Sequence, residues 1–175
     1  MSLAQFLAQL GSSKGAPGGG AAAALTGASG AALVEMTARL NDQRLKSSSG
    51  NAAKAAVLRT KLFGLMARDA AAFERIQKVH RFRKINRAVW QAALKNGALV
   101  PLQIAEACAA ASVLAKKEKP RSSVWLESDR REALIFLRAA FEGAKLNVDV
   151  NLKEMKDRVF VHRVQKRLKA WRQDL

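Results

Sequence analysis

The spacing of apolar residues predicts a chain built from helices. Leucine, phenylalanine, isoleucine and valine recur three and four residues apart, as they do along one face of a helix. The predicted helices span residues 2–10, 19–41, 51–79, 86–96, 99–116, 128–156 and 157–173. Gly97 and Pro101 predict the break between the fourth and fifth helices, and Ser128 with Asp129 predicts a cap on the sixth. We therefore expect an all-α, single-domain helical bundle of about six or seven helices over residues 1–175.

A glycine turn precedes the second predicted helix. Pro17, Gly18, Gly19 and Gly20 leave the turn without side chains, and no charged residue lies between Lys14 and Glu35. Small residues then follow in two stripes, each with a spacing of four: Gly19, Ala23, Gly27, Ala31 and Gly20, Ala24, Ala28, Ala32. Two interpretations are open. The turn is either a flexible entry to a closely packed helix or a cradle for an anion or ligand at the helix N-terminus.

Three polar residues on predicted helices are candidates for a site. Asp69 lies four residues before Phe73 beside an apolar stripe, so its carboxylate is either partly buried or solvated beside Arg68. Asn147 and Asn151 share a helix face, although asparagine is a poor helix former. Their amides either join two helices by hydrogen bonds or contact a ligand.

The charge balance changes the range of partners to consider. The chain of 175 residues has 31 Lys and Arg against 14 Asp and Glu, a net charge of +17. Such a surface attracts nucleic acid, anionic lipid or poly-acidic ligands. The segment RIQKVHRFRKINR, residues 75–87, holds six basic residues and no acid. It is either a nucleic-acid or phosphate-binding patch or a solvated helix end.

The sparse cysteine and histidine content argues against a disulfide framework and a metal site. Cys108 is the only cysteine and lies in an alanine-rich helix, where a small buried residue is expected. His80 and His162 have no metal-ligand spacing. The uncharged residues 15–34 are too rich in glycine and alanine for a confident membrane span. We expect a cytoplasmic protein without metal, prosthetic group or membrane contact.

Several of these segments, in this order, resemble the cyclodeaminase and methenyltetrahydrofolate cyclohydrolase family. The matching segments are FLAQLGSSKGAPGGGAAAALTGASGAALVEM (6–36), RDAAAF (68–73), VPLQIAEAC (100–108), SD (128–129) and AAFEGAKLNVDVNLKEMKD (139–157). The glycine turn together with the asparagine segment is specific, whereas either alone is weak. The resemblance implies an all-helical, dimeric protein with a folate site between or beside its helices.

The resemblance also implies a chemistry and a set of site residues. Family members hydrolyse 5,10-methenyltetrahydrofolate to 10-formyltetrahydrofolate, or cyclodeaminate 5-formiminotetrahydrofolate with release of ammonia. By carry-over, Asp69 and Asp129 are the candidates for acid–base or pterin-anchoring roles. The substrate-binding candidates are Pro17, Gly18, Gly19, Gly20, Asn147 and Asn151. The resemblance then implies a tetrahydrofolate derivative as the substrate, with or without a polyglutamate tail. It also implies a second copy of the chain as a partner.

The chain departs from the family pattern around Asp129. The usual GNxNAxSDAG segment is replaced by RSSVWLESDRRE, which introduces Trp125 and Glu127 and puts two arginines after the aspartate. These arginines, Arg130 and Arg131, should favour the ionised form of Asp129 and suit an anchor better than a general acid. Two alternatives to the enzyme therefore stand: a pterin- or protein-binding member of the same fold without catalysis, and a basic helical nucleic-acid-binding protein.

Overall fold

The computed structural model describes residues 2–175, which form six α-helices and three short 3-10 turns without a strand in that range. The helices are α1 (Leu3–Leu10), α2 (Gly19–Leu45), α3 (Asn51–His80), α4 (Arg87–Glu118), α5 (Glu127–Leu152) and α6 (Arg158–Trp171). The 3-10 turns are Lys119–Arg121, Val124–Leu126 and Arg172–Asp174. The predicted all-α fold is therefore confirmed.

The alanine-rich helix α2 lies at the centre of the bundle and packs against α3, α4 and α5. Most of its small residues are buried, including Ala24 and Ala31 with no exposed surface. A Cβ on Gly27 would lie 2.8 Å from the Sγ of Cys108, so the small stripe allows α4 to approach closely. Burial raises the pKa of the Cys108 thiol to about 12, which makes this cysteine a core residue, as expected.

Helices α2 and α5 run antiparallel along most of their length. Contacts at the glycines show which residues of the two helices lie side by side. A Cβ on Gly19 would lie 3.7 Å from the Nδ2 of Asn147, and one on Gly143 would lie 3.4 Å from the Cβ of Ala23. Further along, Gly30 faces Leu137. The N-terminus of α2 and the C-terminal part of α5 therefore share one end of the bundle.

The prediction of two helices between residues 86 and 116 is wrong, because α4 continues through Pro101. Proline has no N–H, so the carbonyl of Gly97 loses its usual partner within the helix. The side-chain Nδ2 of Asn151 on α5 lies 3.4 Å from that carbonyl and donates to it. A tertiary hydrogen bond thus compensates for the one that the proline removes. Helices α2 and α4 are also long and apolar enough to cross a membrane, but their apolar stretches are mostly buried inside the bundle.

A polar cluster holds the other end of the bundle together. The carboxylate of Glu118, with no exposed surface, accepts from Asn51 Nδ2 at 2.7 Å, Asn41 Nδ2 at 2.9 Å and Ser49 Oγ at 3.0 Å. These residues come from α2, α3, α4 and the loop before α3. A buried carboxylate with three donors fixes where the helices meet.

The start of α5 differs from the prediction. The helix begins at Glu127, with Leu126 at the N-cap, so Ser128 and Asp129 lie inside its first turn and do not cap it. Glu127 instead binds both arginines of the segment: Arg130, which is buried, at 2.7 Å, and Arg131 at 3.0 Å. These bonds lower the pKa of Glu127 to about 2.

Candidate functional site

A cavity of about 260 Å³ opens at the end of the bundle where α2 begins. The glycine turn forms one wall, and α3, α4 and α5 form the others. Its lining residues are Gly15, Gly18, Gly19, Gly20, Asp69, Ala72, Phe73, Ile76, Gly97, Pro101, Asn147, Val150 and Asn151. Six of the eight candidate residues from the sequence therefore meet around one hollow.

The carboxylate of Asp69 projects from α3 onto the first turn of α2. A Cβ on Gly20 would lie 2.2 Å from Oδ1 and 2.4 Å from Oδ2 of Asp69, closer than any side chain permits. Only glycine at this position lets the carboxylate reach the free N–H groups of the helix N-terminus. The glycines are thus needed for an anion that the protein itself supplies.

Two opposing effects set the pKa of Asp69. Partial burial raises the pKa above its ordinary value of 3.8, because the carboxylate loses hydration. The backbone N–H of Ala21 opposes the shift by donating to the ionised form, but burial is the larger effect. A half-buried carboxyl group whose pKa is raised by burial is a candidate for accepting and returning a proton.

The two asparagines present their amide oxygens to the cavity. Asn147 Nδ2 donates to the carbonyl of Gly143 at 2.8 Å, and Asn151 Nδ2 donates to the carbonyl of Asn147 at 2.9 Å. No described residue donates to either Oδ1 atom. The prediction of a hydrogen bond between helices holds for Asn151, whose Nδ2 also reaches Gly97 on α4. Both oxygens remain available as acceptors for a ligand.

The cavity has no basic lining side chain, although the whole chain carries a charge of +17. Apart from Asp69 and the asparagines, its side chains are apolar, with Phe73 and Ile76 on α3 and Val150 on α5. The site therefore offers one carboxylate and two amide oxygens between apolar walls. This arrangement suits a flat ligand that carries hydrogen-bond donors or positive charge.

Comparison with known proteins identifies the family. The model of the formiminotransferase-cyclodeaminase family matches residues 2–170 of the chain. The chain belongs to this family. Within it, a methenyltetrahydrofolate cyclohydrolase of Methylorubrum extorquens is 34% identical over 178 residues, covering 94% of this chain and 86% of the relative. The formimidoyltransferase-cyclodeaminase of Sus scrofa is 29% identical over 98% of this chain, which spans only 34% of that longer protein.

A solved structure of the formiminotransferase-cyclodeaminase family has the same fold. The formiminotetrahydrofolate cyclodeaminase of Thermotoga maritima matches with a TM-score of 0.89 and 28% identity, covering 99% of this chain and 89% of its own. The resemblance read from the sequence motifs is thereby confirmed.

Two of the predicted site residues lie outside the cavity. Pro17 is half-buried in the turn but is not among the lining residues. Asp129 lies in the first turn of α5, about five helical turns or about 27 Å from Asn147. The two arginines that follow Asp129 both form ion pairs with Glu127. At this distance, Asp129 does not contact a ligand bound in the cavity of its own chain.

Gly97 and Pro101 are lining residues that the sequence analysis treated only as a helix break. A Cβ on Gly97 would lie 2.4 Å from Cδ1 of Ile76 and 2.7 Å from Oδ1 of Asn151. The signal was present as a glycine four residues before a proline, which predicts a free carbonyl as well as a break. Around the cavity and elsewhere in residues 2–175, no three His, Cys, Asp or Glu side chains cluster as metal ligands.

Proposed function

We propose that this protein is an enzyme of one-carbon folate metabolism that hydrolyses 5,10-methenyltetrahydrofolate to 10-formyltetrahydrofolate. The observation that carries the proposal is the cation-free cavity with Asp69 at its wall. The methenyl group of the substrate is an amidinium cation shared between N5 and N10. A carboxylate and two amide oxygens favour such a cation, whereas a basic lining would repel it. The similarity to the Methylorubrum extorquens cyclohydrolase, which extends over most of both chains, supports this reaction.

Asp69 would move the proton in the proposed reaction. Water attacks the methenyl carbon while the ionised carboxylate takes one of its protons, giving a neutral tetrahedral carbinol. The carboxylic acid then returns a proton to N5 as the N5–C bond breaks. The carbinol oxygen becomes the carbonyl of the N10 formyl group as its proton passes to solvent. A pKa raised by burial makes the ionised carboxylate a better base for the first step.

The asparagines and the glycine turn would position the pterin. Oδ1 atoms of Asn147 and Asn151 can accept hydrogen bonds from N–H groups of a pterin ring, and Phe73 and Ile76 can cover its faces. Both amide nitrogens are already bound to backbone carbonyls, so the two oxygens are fixed in direction. Fixed acceptors place the reacting carbon against Asp69 at little entropic cost.

A basic groove beside the cavity would receive an acidic tail. The groove, of about 590 Å³ between α3 and α4, includes Arg68, Arg75 and Lys78 and shares Ala72 with the cavity. These three cations make no ion pair with a described residue. A glutamate or polyglutamate tail that leaves the cavity over Ala72 would meet positive charge there. We also propose that the protein acts as a homodimer, as the resemblance implies.

Cyclodeamination of 5-formiminotetrahydrofolate is the second candidate reaction. It is favoured by the fold match to the Thermotoga maritima cyclodeaminase. The formimino group is also an amidinium when protonated. N10 would attack its carbon, Asp69 would take the N10 proton, and the same proton would go to the departing amine, which leaves as ammonia. The cavity serves either reaction, because both need a carboxylate beside an amidinium carbon.

The assay uses both substrates and two aspartate variants. Wild-type protein should remove the methenyl absorbance of methenyltetrahydrofolate faster than buffer does. Release of ammonia with a gain of methenyl absorbance from the formimino substrate would mark the second reaction. Asp69→Asn should lower kcat about 10²- to 10⁴-fold. Asp149→Asn is the matched control, because Asp149 lies on α5 outside the cavity and binds Lys145.

The outcomes separate an enzyme from a binding protein. Folate binding by calorimetry without turnover of either substrate would refute catalysis and favour the non-catalytic alternative. If the protein neither binds a folate nor turns one over, the folate proposal is refuted. Nucleic-acid binding through residues 75–87 would instead show as an affinity for RNA or duplex DNA that falls steeply with salt.

A further inference from the structure

We propose that a single strand of nucleic acid binds along a basic surface that runs from a groove between α5 and α6 to a hollow beside residues 83–87. This surface lies outside the cavity and shares no lining residue with it. The strand is recognised through its phosphates and not through its base sequence. The inference describes a second binding function and does not rest on the proposed enzyme activity.

The groove between α5 and α6 has a volume of about 720 Å³ and cations on both of its walls. The cations come from α5, from α6 and from the residues next to their ends: Lys145, Lys153, Arg158, Lys169 and Arg172. Asp149 is the only acid among the lining residues, and it is bound to Lys145 at 2.6 Å. The buried side chains of Leu152 and Leu168 form an apolar floor.

A second hollow, of about 320 Å³, continues the basic surface on the other side of the turn between α5 and α6. Four cations line it: Arg83, Lys84, Arg87 and Lys156. Lys156 lies in the chain between Lys153 and Arg158 of the groove, so the groove and the hollow meet at this turn. Gln91 of α4 holds the turn in place. Its Oε1 accepts from the backbone N–H of Lys156 at 2.7 Å, and its Nε2 donates to the carbonyl of Glu154 at 3.0 Å.

Most of the nine cations have no acidic partner within the described chain. Only Lys145 and Arg172 form ion pairs with described residues, and the partner of Arg172 is Glu142 at 3.0 Å. Glu154, the one acid that lines the hollow, accepts from the indole Nε1 of Trp90 at 3.2 Å. The other seven cations repel one another, and a polyanion bound along the surface relieves that repulsion.

The extent and the shape of the surface favour a single strand over other anions. Along α6 alone, the groove runs from Arg158 to Lys169, a distance of about 16 Å, which exceeds the size of one phosphate group. A lipid membrane is flat and a nucleic-acid duplex is convex, so each would contact only the rims of a groove. A single strand can enter the groove and place its phosphates between cations on both walls.

An exposed aromatic ring beside the hollow favours a nucleic acid over an acidic polypeptide. Phe82 is 45% exposed and is followed by Arg83 and Lys84, which line the hollow. The guanidinium group of Arg81 lies 4.6 Å from the centroid of the Phe82 ring. Nucleobases stack on aromatic rings and on guanidinium planes, whereas Asp and Glu side chains carry no ring that could stack. One turn thus supplies both phosphate contacts and a platform for a base.

The salt dependence of binding tests the groove. Fluorescence anisotropy of a labelled oligouridylate of about 20 nucleotides gives the association constant at each salt concentration. Each phosphate contact contributes about −0.7 to the slope of log K against log[salt], so the seven unpaired cations allow a slope of up to about −5. The triple variant Lys153→Gln/Arg158→Gln/Lys169→Gln should make the slope less steep by about 2. At about 0.1 M salt it should bind about 10²-fold more weakly.

A matched control removes three positive charges from another part of the molecule. Lys54, Lys116 and Lys117 are exposed, line neither the groove nor the hollow, and make no ion pair with a described residue. Their replacement by glutamine should leave the slope and the affinity close to wild type. An equal loss in both triple variants would show that binding follows net charge alone. That result, or wild-type protein that does not bind the oligouridylate at about 50 mM salt, would overturn the proposal.

Two further measurements test the choice of partner. Phe82→Leu should weaken binding about fivefold or more with an unchanged salt slope, because stacking releases no counterions. An unchanged affinity would overturn the choice of a nucleic acid over other polyanions. Tighter binding to a duplex of the same length, or binding to phosphatidylserine vesicles in place of the oligonucleotide, would overturn the choice of a single strand. None of these measurements needs folate turnover, so they decide this proposal separately from the enzyme activity.

Discussion

Replacement of Gly20 with alanine should remove most of the turnover and leave the fold intact. The added Cβ would lie 2.2 Å from Oδ1 of Asp69, whereas ordinary contact begins at 3.4 Å. The carboxylate must therefore move by at least 1.2 Å, the difference between these two distances. Since Gly20 lies in a helix, its backbone accepts alanine without strain, and the three atoms nearest to the new Cβ all belong to Asp69.

The displacement predicts a large effect on rate and a small effect on stability. A shift of about 1 Å in a reacting group can lower the rate about 10²-fold, equivalent to about 2.7 kcal/mol of transition-state stabilisation. The half-buried Asp69 side chain can rotate toward solvent, so the clash is relieved without moving either helix. We expect the free energy of unfolding to change by no more than about 1 kcal/mol, because alanine also favours the helix by up to about 1 kcal/mol.

The assay compares two glycine-to-alanine variants. Gly64 also lies in a helix, and a Cβ there would contact nothing within 4 Å. Gly64→Ala should therefore keep full turnover and gain about 0.5–1 kcal/mol of stability in urea unfolding. Gly20→Ala with wild-type kcat would refute the assignment of Asp69. Equal losses of turnover in both variants would show that the effect is not local.

Three further predictions concern the cavity and the opposite end of the bundle. Gly97→Ala should weaken folate binding about tenfold or more, because its Cβ would lie 2.7 Å from Oδ1 of Asn151; unchanged affinity in calorimetry would contradict this. Asp69→Asn should gain stability relative to wild type as the pH rises from 3.8 toward neutrality, because a raised folded pKa makes ionisation of Asp69 destabilising; a pH-independent difference in urea midpoints would contradict this. Glu118→Ala should cost about 3–5 kcal/mol, whereas Glu106→Ala, which breaks only surface ion pairs, should cost less than about 1 kcal/mol.

The part of the site that could be predicted is the part encoded in local geometry. A run of glycines before an alanine helix predicts a close approach, and the structure shows Asp69 making it. Asn147 and Asn151 share a face because they are four residues apart in a helix, which periodicity alone gives. The resemblance to a family added that these pieces belong to one site. Composition and spacing alone do not predict that α2, α3 and α5 meet at one site, because contacts between helices depend on the packing of the whole bundle.

Two local interpretations of the sequence missed contacts for the same physical reason. Gly97 and Pro101 were expected to separate two helices, but Asn151 supplies a donor from another helix that no local rule can anticipate. Arg130 and Arg131 were expected to act on their sequence neighbour Asp129. In the helix, residues three and four apart meet, so Glu127 lies within reach of both guanidinium groups and binds them. In each case a partner chosen by three-dimensional geometry replaced the one adjacent in sequence.

The carboxylates at the two ends of the bundle, buried Glu118 and half-buried Asp69, have different hydrogen-bond partners, and this difference bears on function. Glu118 has three donors from within the bundle and no exposed surface, so it holds helices together and is out of reach of a ligand. Asp69 has one backbone donor and lines a cavity that also holds two asparagines and no basic side chain, which is unfavourable for an anion without a cation nearby. A carboxylate and two acceptors left without a positive partner, in a chain rich in Lys and Arg, form a site that only a cationic or donor-rich ligand satisfies. In the proposed function, the amidinium group of a folate would supply that charge, and the basic groove beside the cavity would receive its acidic tail.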